Sequence, residues 1–428
     1  MLRNLVPGRV GAPHHGGGWV WRGALGFLTV LIVAKVAALA ALWLFFNVDP
    51  EGTVYPMLAR SLVLENRFVI DPGGPACLWR GPIYPVLLAG VWSVVGIDRY
   101  GPVVAMHAVI GVATCLVFFM LARRFVPRRA AVAAALAVAL YPPSNYYALR
   151  FMTESLFGLI LGLFVFACYR ADESQRVGSW ALVGVIAGVA ALTRPSAVLL
   201  APATAAWVGL AQRRVHSAAV LLVGAIIVIA PWTIRNYVVS GEFVPVATGG
   251  GYSFWIGNRL ASDGLDEDEL DPARLTGFRA ERGLIEGPGP RLHITPAMDR
   301  RFTAAALNGI AQAPWESLKL LVKRTGRLWF SAYTPERRQW NWVLALVNGT
   351  LLVGALIGLR RLVQQGRRVW PLVFPVVYIA IVHTLVLATV RYSVPVVPIL
   401  IVLTVVAATV WWPRAAGLQR TADSDGSG

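Results

Sequence analysis

Long apolar blocks, broken by short polar interruptions, occupy most of this chain. The runs fall at roughly 19–46, 82–96, 100–121, 130–147, 152–169, 179–193, 195–211, 216–233, 340–358, 369–389 and 394–412. A helix needs about 20 apolar residues, at roughly 1.5 Å rise each, to cross roughly 30 Å of hydrocarbon. Most of these runs meet or approach that length, and the pattern predicts an all-α protein whose helices span a membrane.

Composition supports the same class. With 57% apolar and 14% charged residues in 428, the chain has more apolar surface than a soluble domain of this length could bury. The first run is too long for a signal-peptide core of about 7–15 residues and reads as a retained span. The formal charge of +17 does not point to nucleic acid, because the 39 basic residues recur in short clusters between apolar runs. Of the three cysteines, Cys115 and Cys168 fall inside spans and Cys77 has no evident partner, so no disulfide is expected.

Those basic clusters orient the chain. Arg3 and Arg9, Arg123 to Arg129, Arg170 and Arg176, Arg213 and Arg214, Arg360 to Arg368, and Arg414 and Arg420 all fall on the cytoplasmic side if the run 82–96 enters the membrane without crossing it. That choice predicts about ten crossings, both termini cytoplasmic, and an extracytoplasmic set made of residues 47–99, 141–153, 193–195, 235–341 and 390–393. The implied division is an N-terminal transmembrane module (1–234) including the first outer loop (47–99), an extracytoplasmic region (235–339), C-terminal transmembrane helices (340–412) and a polar cytoplasmic tail (413–428).

Nearly every unusual polar residue falls in the extracytoplasmic set. Asp49 and Glu51 open the first outer loop, where a carboxylate could accept a proton from an attacking hydroxyl or could cap the following helix. Arg80, Gly81, Pro82 and Tyr84 begin the run that does not cross. Arg150 and Glu154 are spaced to share a helical face and pair, or to face a polar cavity. Thr193-Arg194-Pro195 reads as a turn between helices. Arg235, in Pro231–Tyr237, belongs to an aromatic belt or reaches a lipid phosphate. Lys319, Lys323 and Arg327 describe an amphipathic helix on an anionic interface. Lys35, inside the first span, is expected to snorkel, and His383 reads as a satisfied interior histidine.

Taken in order, the acidic segment leading to Tyr55 and Leu58–Leu62, then Arg80–Pro85, Thr153-Glu154, Leu192–Pro195, Pro231–Tyr237, and Arg391-Tyr392 with Pro395 and Pro398 resemble the family 39-like membrane glycosyltransferases of the GT-C fold. Protein O-mannosyltransferases and the aminoarabinose lipid A transferase are relatives of that group. The resemblance implies a GT-C fold with about 10–12 transmembrane helices and juxtamembrane helices in the first outer loop. It implies inverting transfer of a sugar from a polyprenyl-phosphate donor to a glycan, lipid or protein acceptor at the outer face of the cytoplasmic membrane. Asp49 or Glu51 would be the base, Glu154 would match the acid of the second outer loop, and Tyr55, Arg60, Arg80, Tyr84, Arg150, Arg235 and Arg391 would bind the donor. Relatives differ in whether a divalent metal assists, which leaves the cofactor unassigned. The competing class is a transporter or flippase of lipid-linked sugars, or a catalytically silent relative. Transport would place polar residues through the membrane depth, and no dinucleotide fingerprint or P-loop offers another route to an activated sugar.

Overall fold

The structure, a computed structural model, describes residues 17–46, 53–265, 272–286, 293–331 and 339–409. Among these, the secondary structure is helical apart from one antiparallel bridge between Val69 and Ala76. The first half of the chain forms α1 (Gly17–Phe46), α2 (Val54–Glu65), α3 (Ile83–Val95), α4 (Tyr100–Ala122), α5 (Arg128–Leu140), α6 (Pro142–Leu149), α7 (Glu154–Ser174), α8 (Ser179–Thr193), α9 (Leu200–Ala206) and α10 (Val215–Ser240). The second half forms α11 (Gly250–Asn258), α12 (Pro272–Glu286), α13 (Pro296–Gln312), α14 (Pro314–Phe330), α15 (Asn341–Gln364), α16 (Trp370–Leu385), α17 (Val390–Ser393) and α18 (Val397–Ala408).

Among the described residues, six helical stretches are long and apolar enough to cross a membrane: Leu25–Phe45, Tyr100–Ala122, Glu154–Ser174, Val215–Ser240, Asn341–Gln364 and Val390–Ala408. The other apolar runs make shorter helices. The run predicted over 130–147 breaks at Pro142 into α5 and α6, and α16 stops at Leu385. The bundle is built around α7 and the α17–α18 rod, whose apolar stretches are 78% and 72% buried against 17% for α1 and for α15. The outer helices turn their apolar sides to the surrounding lipid, which is why they need so few protein neighbours.

Charge pairs define the two ends of this bundle. At one end, Asp172 on α7 accepts from Arg214 Nη1 at 3.0 Å and from Arg368 Nη1 at 2.8 Å, and Glu173 pairs with Arg124. Three of the basic clusters seen in the sequence therefore meet around two acids of one helix. At the other end lie Glu154, the start of α4, the end of α8 and α11–α14. Helix α3 belongs wholly to that end: Gly81 before it packs on the Leu192 carbonyl, and Asp98 after it pairs with Arg60. With 13 residues, α3 is about 20 Å long and too short to cross.

Helices α11–α14 cover the Glu154 end. Trp255, Phe278 and Phe302 form their core, and Arg324, 1% exposed, fastens them to the bundle by donating to Asn258 Oδ1 and to the Leu385 and Val386 carbonyls. Lys323 and Arg327 on α14 do not lie free at an interface as the spacing suggested. Asp263, in a left-handed turn conformation with φ 58°, presents its carboxylate between them. Burial pushes this carboxyl up, but the hydrogen bonds and charges of Lys323 and Arg327 outweigh it and hold it below its ordinary value. The outward residues of α14 include Trp315, Leu318 and Val322 beside Lys319 and Lys323.

Close packing of α8 on α10 depends on glycine. A Cβ on Gly184 would lie 1.9 Å from the Leu221 carbonyl oxygen, and one on Gly224 would lie 2.4 Å from that of Ala181. Small residues let helix backbones approach where the hydrophobic effect cannot drive them together. Gly184→Val and Gly224→Val are each expected to destabilise the protein by about 3 kcal/mol or more through overpacking. Gly26→Ala, with nothing within 4 Å, should leave the melting temperature of the detergent-solubilised protein unchanged.

Candidate active site

The chain between α6 and α7 is forced out of helix at Phe151, a residue with φ 49°. An L-residue adopts that conformation only under local constraint, and here the Phe151 ring is buried against His107, stacked at 6.1 Å, and beside Tyr100. The break prevents Arg150 and Glu154 from occupying successive turns of one helix, so the pair expected from their spacing does not form. Arg150 Nη1 lies 3.5 Å from the Tyr146 hydroxyl. Glu154 becomes the first residue of α7, where its charge complements the helix dipole.

The Glu154 side chain is completely buried. Arg391 Nε donates to its Oε1, and Arg194 Nη1 lies 3.5 Å from the same oxygen. Arg194 is 4.9 Å above the Tyr392 ring, and that ring is stacked on His383 at 4.2 Å. His383 Nδ1 is 3.3 Å from the Leu387 carbonyl, which fits the tautomer protonated at Nδ1. His383 is thus an interior residue that supports Tyr392, as its isolation in the sequence suggested.

A second wall stands beside this cluster. Tyr84 Oη and His107 Nε2 are 2.8 Å apart, both side chains buried, and Tyr55 meets Tyr84 edge-on at 5.1 Å. Burial, with Tyr55 and Glu154 close by, pushes the Tyr84 hydroxyl well above its ordinary value, so it is a hydrogen-bond donor and not a base at neutral pH. Arg80 lies 3.7 Å above the Trp79 ring and 5.8 Å from that of Tyr55. Arg235 stands further along, donating to the Cys77 carbonyl at 2.9 Å and to Asn236 Oδ1 at 3.1 Å; it pins the segment that carries Arg80.

The structure therefore brings together Tyr55, Arg80, Tyr84, Glu154 and Arg391 of the predicted residues, with Arg150 next to them in the chain. Arg60 is elsewhere, in an exposed pair with Asp98 at 2.7 Å. Asp49 and Glu51 lie outside the described residues, four and two positions before Thr53, the N-cap of α2. Arg194, His107 and Tyr392 are the residues that reading the sequence for site chemistry did not select. Arg194 carried a signal, since a turn accounts for Pro195 but not for an arginine inside some thirty apolar residues. Lys35 does not snorkel: it is 2% exposed and crosses Gly111, where an added Cβ would lie 2.1 Å from its Cε.

Several buried guanidinium nitrogens at this end have no hydrogen-bond partner among the described residues: Arg80 Nε, Arg150 Nε and Arg194 Nη1. Buried polar atoms are almost always satisfied, so a cluster of unsatisfied guanidinium nitrogens fits an anion better than it fits solvent or apolar matter. A divalent cation suits the described residues poorly. No three His, Cys, Asp and Glu side chains converge among them, and Glu154, the buried carboxylate at this end, already faces two guanidiniums.

Comparison with known proteins follows the same line. Residues 79–234, from Trp79 beneath Arg80 to the end of α10's apolar stretch, match the family described as dolichyl-phosphate-mannose-protein mannosyltransferase. The match covers about a third of the chain and makes this region similar to that family. Its fold extends beyond the matched residues: the archaeal oligosaccharyltransferase AglB from Archaeoglobus fulgidus, solved with an inhibitory peptide and a dolichol-phosphate, aligns over 95% of this chain and 53% of its own at 13% identity, with a TM-score of 0.52. The oligosaccharyltransferase of the same organism solved with zinc and sulfate aligns over 90% and 49% at 13% identity, with a TM-score of 0.50. The apo form of ArnT from Cupriavidus metallidurans aligns over 91% and 78% at 18% identity, with a TM-score of 0.42. No curated protein matches the chain. The chain spans about half the length of the archaeal structures, and the likeness establishes the GT-C fold.

The charge cluster makes a testable demand. Arg391→Met leaves a buried carboxylate short of a partner and is expected to cost about 3–5 kcal/mol. Adding Glu154→Gln to that variant should recover part of the loss, a non-additivity read from unfolding of the purified protein in detergent.

Proposed function

We propose that the protein is an integral-membrane glycosyltransferase that moves a sugar from a polyprenyl-phosphate donor to an acceptor hydroxyl or phosphate, with inversion, on the extracytoplasmic face. The observation that carries this reading is the set of buried guanidinium nitrogens without a hydrogen-bond partner around Tyr84 and Glu154, inside the region that matches the mannosyltransferase family. A departing lipid phosphate develops negative charge as the sugar leaves, and preorganised cations in a water-poor site stabilise that charge at no cost of reorganisation. Sidedness is supported by the opposite end, where Arg124, Arg214 and Arg368 collect as cytoplasmic basic residues do. A site facing away from the cytoplasm has no nucleotide sugars to draw on, which favours a lipid-borne donor.

In this reading Arg80, Arg194 and Arg391 hold the phosphate, Tyr84 donates to the donor with its proton retained, and Tyr55 and Trp79 keep Arg80 in place. Glu154 orients Arg391 and Arg194. The acceptor proton goes to Asp49 or Glu51, which precede α2 and hence the Tyr55 side of the site. The reaction is a single displacement: the acceptor oxygen forms a bond to the anomeric carbon, the bond to the phosphate oxygen breaks, and the base takes the acceptor proton.

Membranes carrying the wild type, Asp49→Asn, Glu51→Gln and the double variant, supplied with radiolabelled polyprenyl-phosphate sugar, test this assignment through the appearance of free polyprenyl phosphate. Loss of the base is expected to slow release by about 10²- to 10⁴-fold. Equal turnover in all four membranes would remove both carboxylates from the mechanism.

A further inference from the structure

Against Glu154 lies a cavity of about 20 Å³ whose lining includes Lys35, Gly111, Thr114, Tyr141, Ser144, Ser155, Val394, Pro395 and Pro398. That is room for one water molecule, since a buried water needs about 10–15 Å³ of centre volume and two to four polar partners. Two observations converge on it. Glu154 Oε2, unlike Oε1, is buried with no hydrogen-bond partner. Lys35, in the interior half of α1, is 2% exposed and reaches the same cavity by crossing Gly111, whose missing side chain leaves the path open.

A charged lysine inside a membrane protein is costly and is retained where it has a partner and a task. Glu154 is the only acidic residue lining the cavity, so it is the one available counter-charge there. We propose that Lys35 grips the second oxygen of Glu154 through one bridging water and is thereby a positioning residue of the donor site. Arg391 and Arg194 hold Oε1 from above; Lys35 holds Oε2 from below. The carboxylate cannot then rotate, and the two guanidiniums keep the orientation in which they meet the phosphate. With Lys35 charged, Glu154 and its three cations also sum to +2, an excess that meets the single charge of the incoming phosphodiester and the second charge that develops as polyprenyl phosphate departs. The inference deepens the reading of the site given above and rests on it for its ligand, though the Lys35–Glu154 link itself does not.

The test uses the full-length protein in lipid nanodiscs, with polyprenyl phosphate as the probe, and reads both melting temperature and probe affinity. Lys35→Met should weaken binding by about tenfold, and Lys35→Arg should restore it to within about threefold, because the charge returns to the same cavity. In a Glu154→Gln background the Lys35→Met effect on binding should vanish, and the melting temperatures of the four proteins in that cycle should be non-additive. Unchanged affinity in Lys35→Met, or the same loss with and without Glu154, overturns the proposal. So do additive melting temperatures. If Lys35→Met lowers both affinity and melting, Lys35→Gln decides: recovery with Gln as well as Arg shows that only packing was at stake and overturns it, whereas recovery with Arg alone supports it. Failure of the wild type to bind polyprenyl phosphate sinks the lipid-phosphate reading, while the melting cycle still decides whether Lys35 and Glu154 are joined.

Discussion

A carboxylate sealed inside a membrane helix bundle is tolerated only with opposite charges at hand, and α7 carries one at each end. Glu154 meets Arg391 and Arg194; Asp172 meets Arg214 and Arg368. Burying an ion costs several kcal/mol even after the surroundings relax, and removing one partner from such a cluster leaves that cost uncompensated. The position of α7 therefore dictates where the end of α8, the start of α10, the loop before α16 and the short α17 must come. The eighteen residue steps from Glu154 to Asp172 rise about 27 Å, close to the thickness of the hydrocarbon they cross. One pair of ion clusters thus sets both the packing of the central helices and the distance between the two polar faces.

That arrangement explains which features could be read along the chain. The gathering of basic residues at one end was legible because basic clusters are local in sequence, and the brevity of α3 was legible because its run is short and flanked by polar turns. The pairing of charges was not. Arg150 and Glu154 look like an ion pair at helical spacing, but the left-handed Phe151 between them breaks the helix, and Glu154 is answered by residues 40 and 237 positions away. Lys35 looks like a lysine that would reach for the surface because nothing in its neighbourhood says that Gly111, on another helix, clears a path inward. Long-range partners of single buried charges carry no periodic signal, and the site is made of them.

The same reasoning separates the roles of the acids. A general base must reach the acceptor and must hold its proton with an affinity near that of its surroundings. Glu154 meets neither condition: its side chain has no exposure, and two guanidiniums share one of its oxygens. What a carboxylate so placed can do well is hold arginines still, and arginine's planar fork gains most from being held. On the proposed reading the labour is divided by location. The anchor, Glu154, sits on the most buried of the spanning helices, and the proposed base, Asp49 or Glu51, precedes α2 in the chain, so that holding the arginines and accepting the proton fall to different carboxylates.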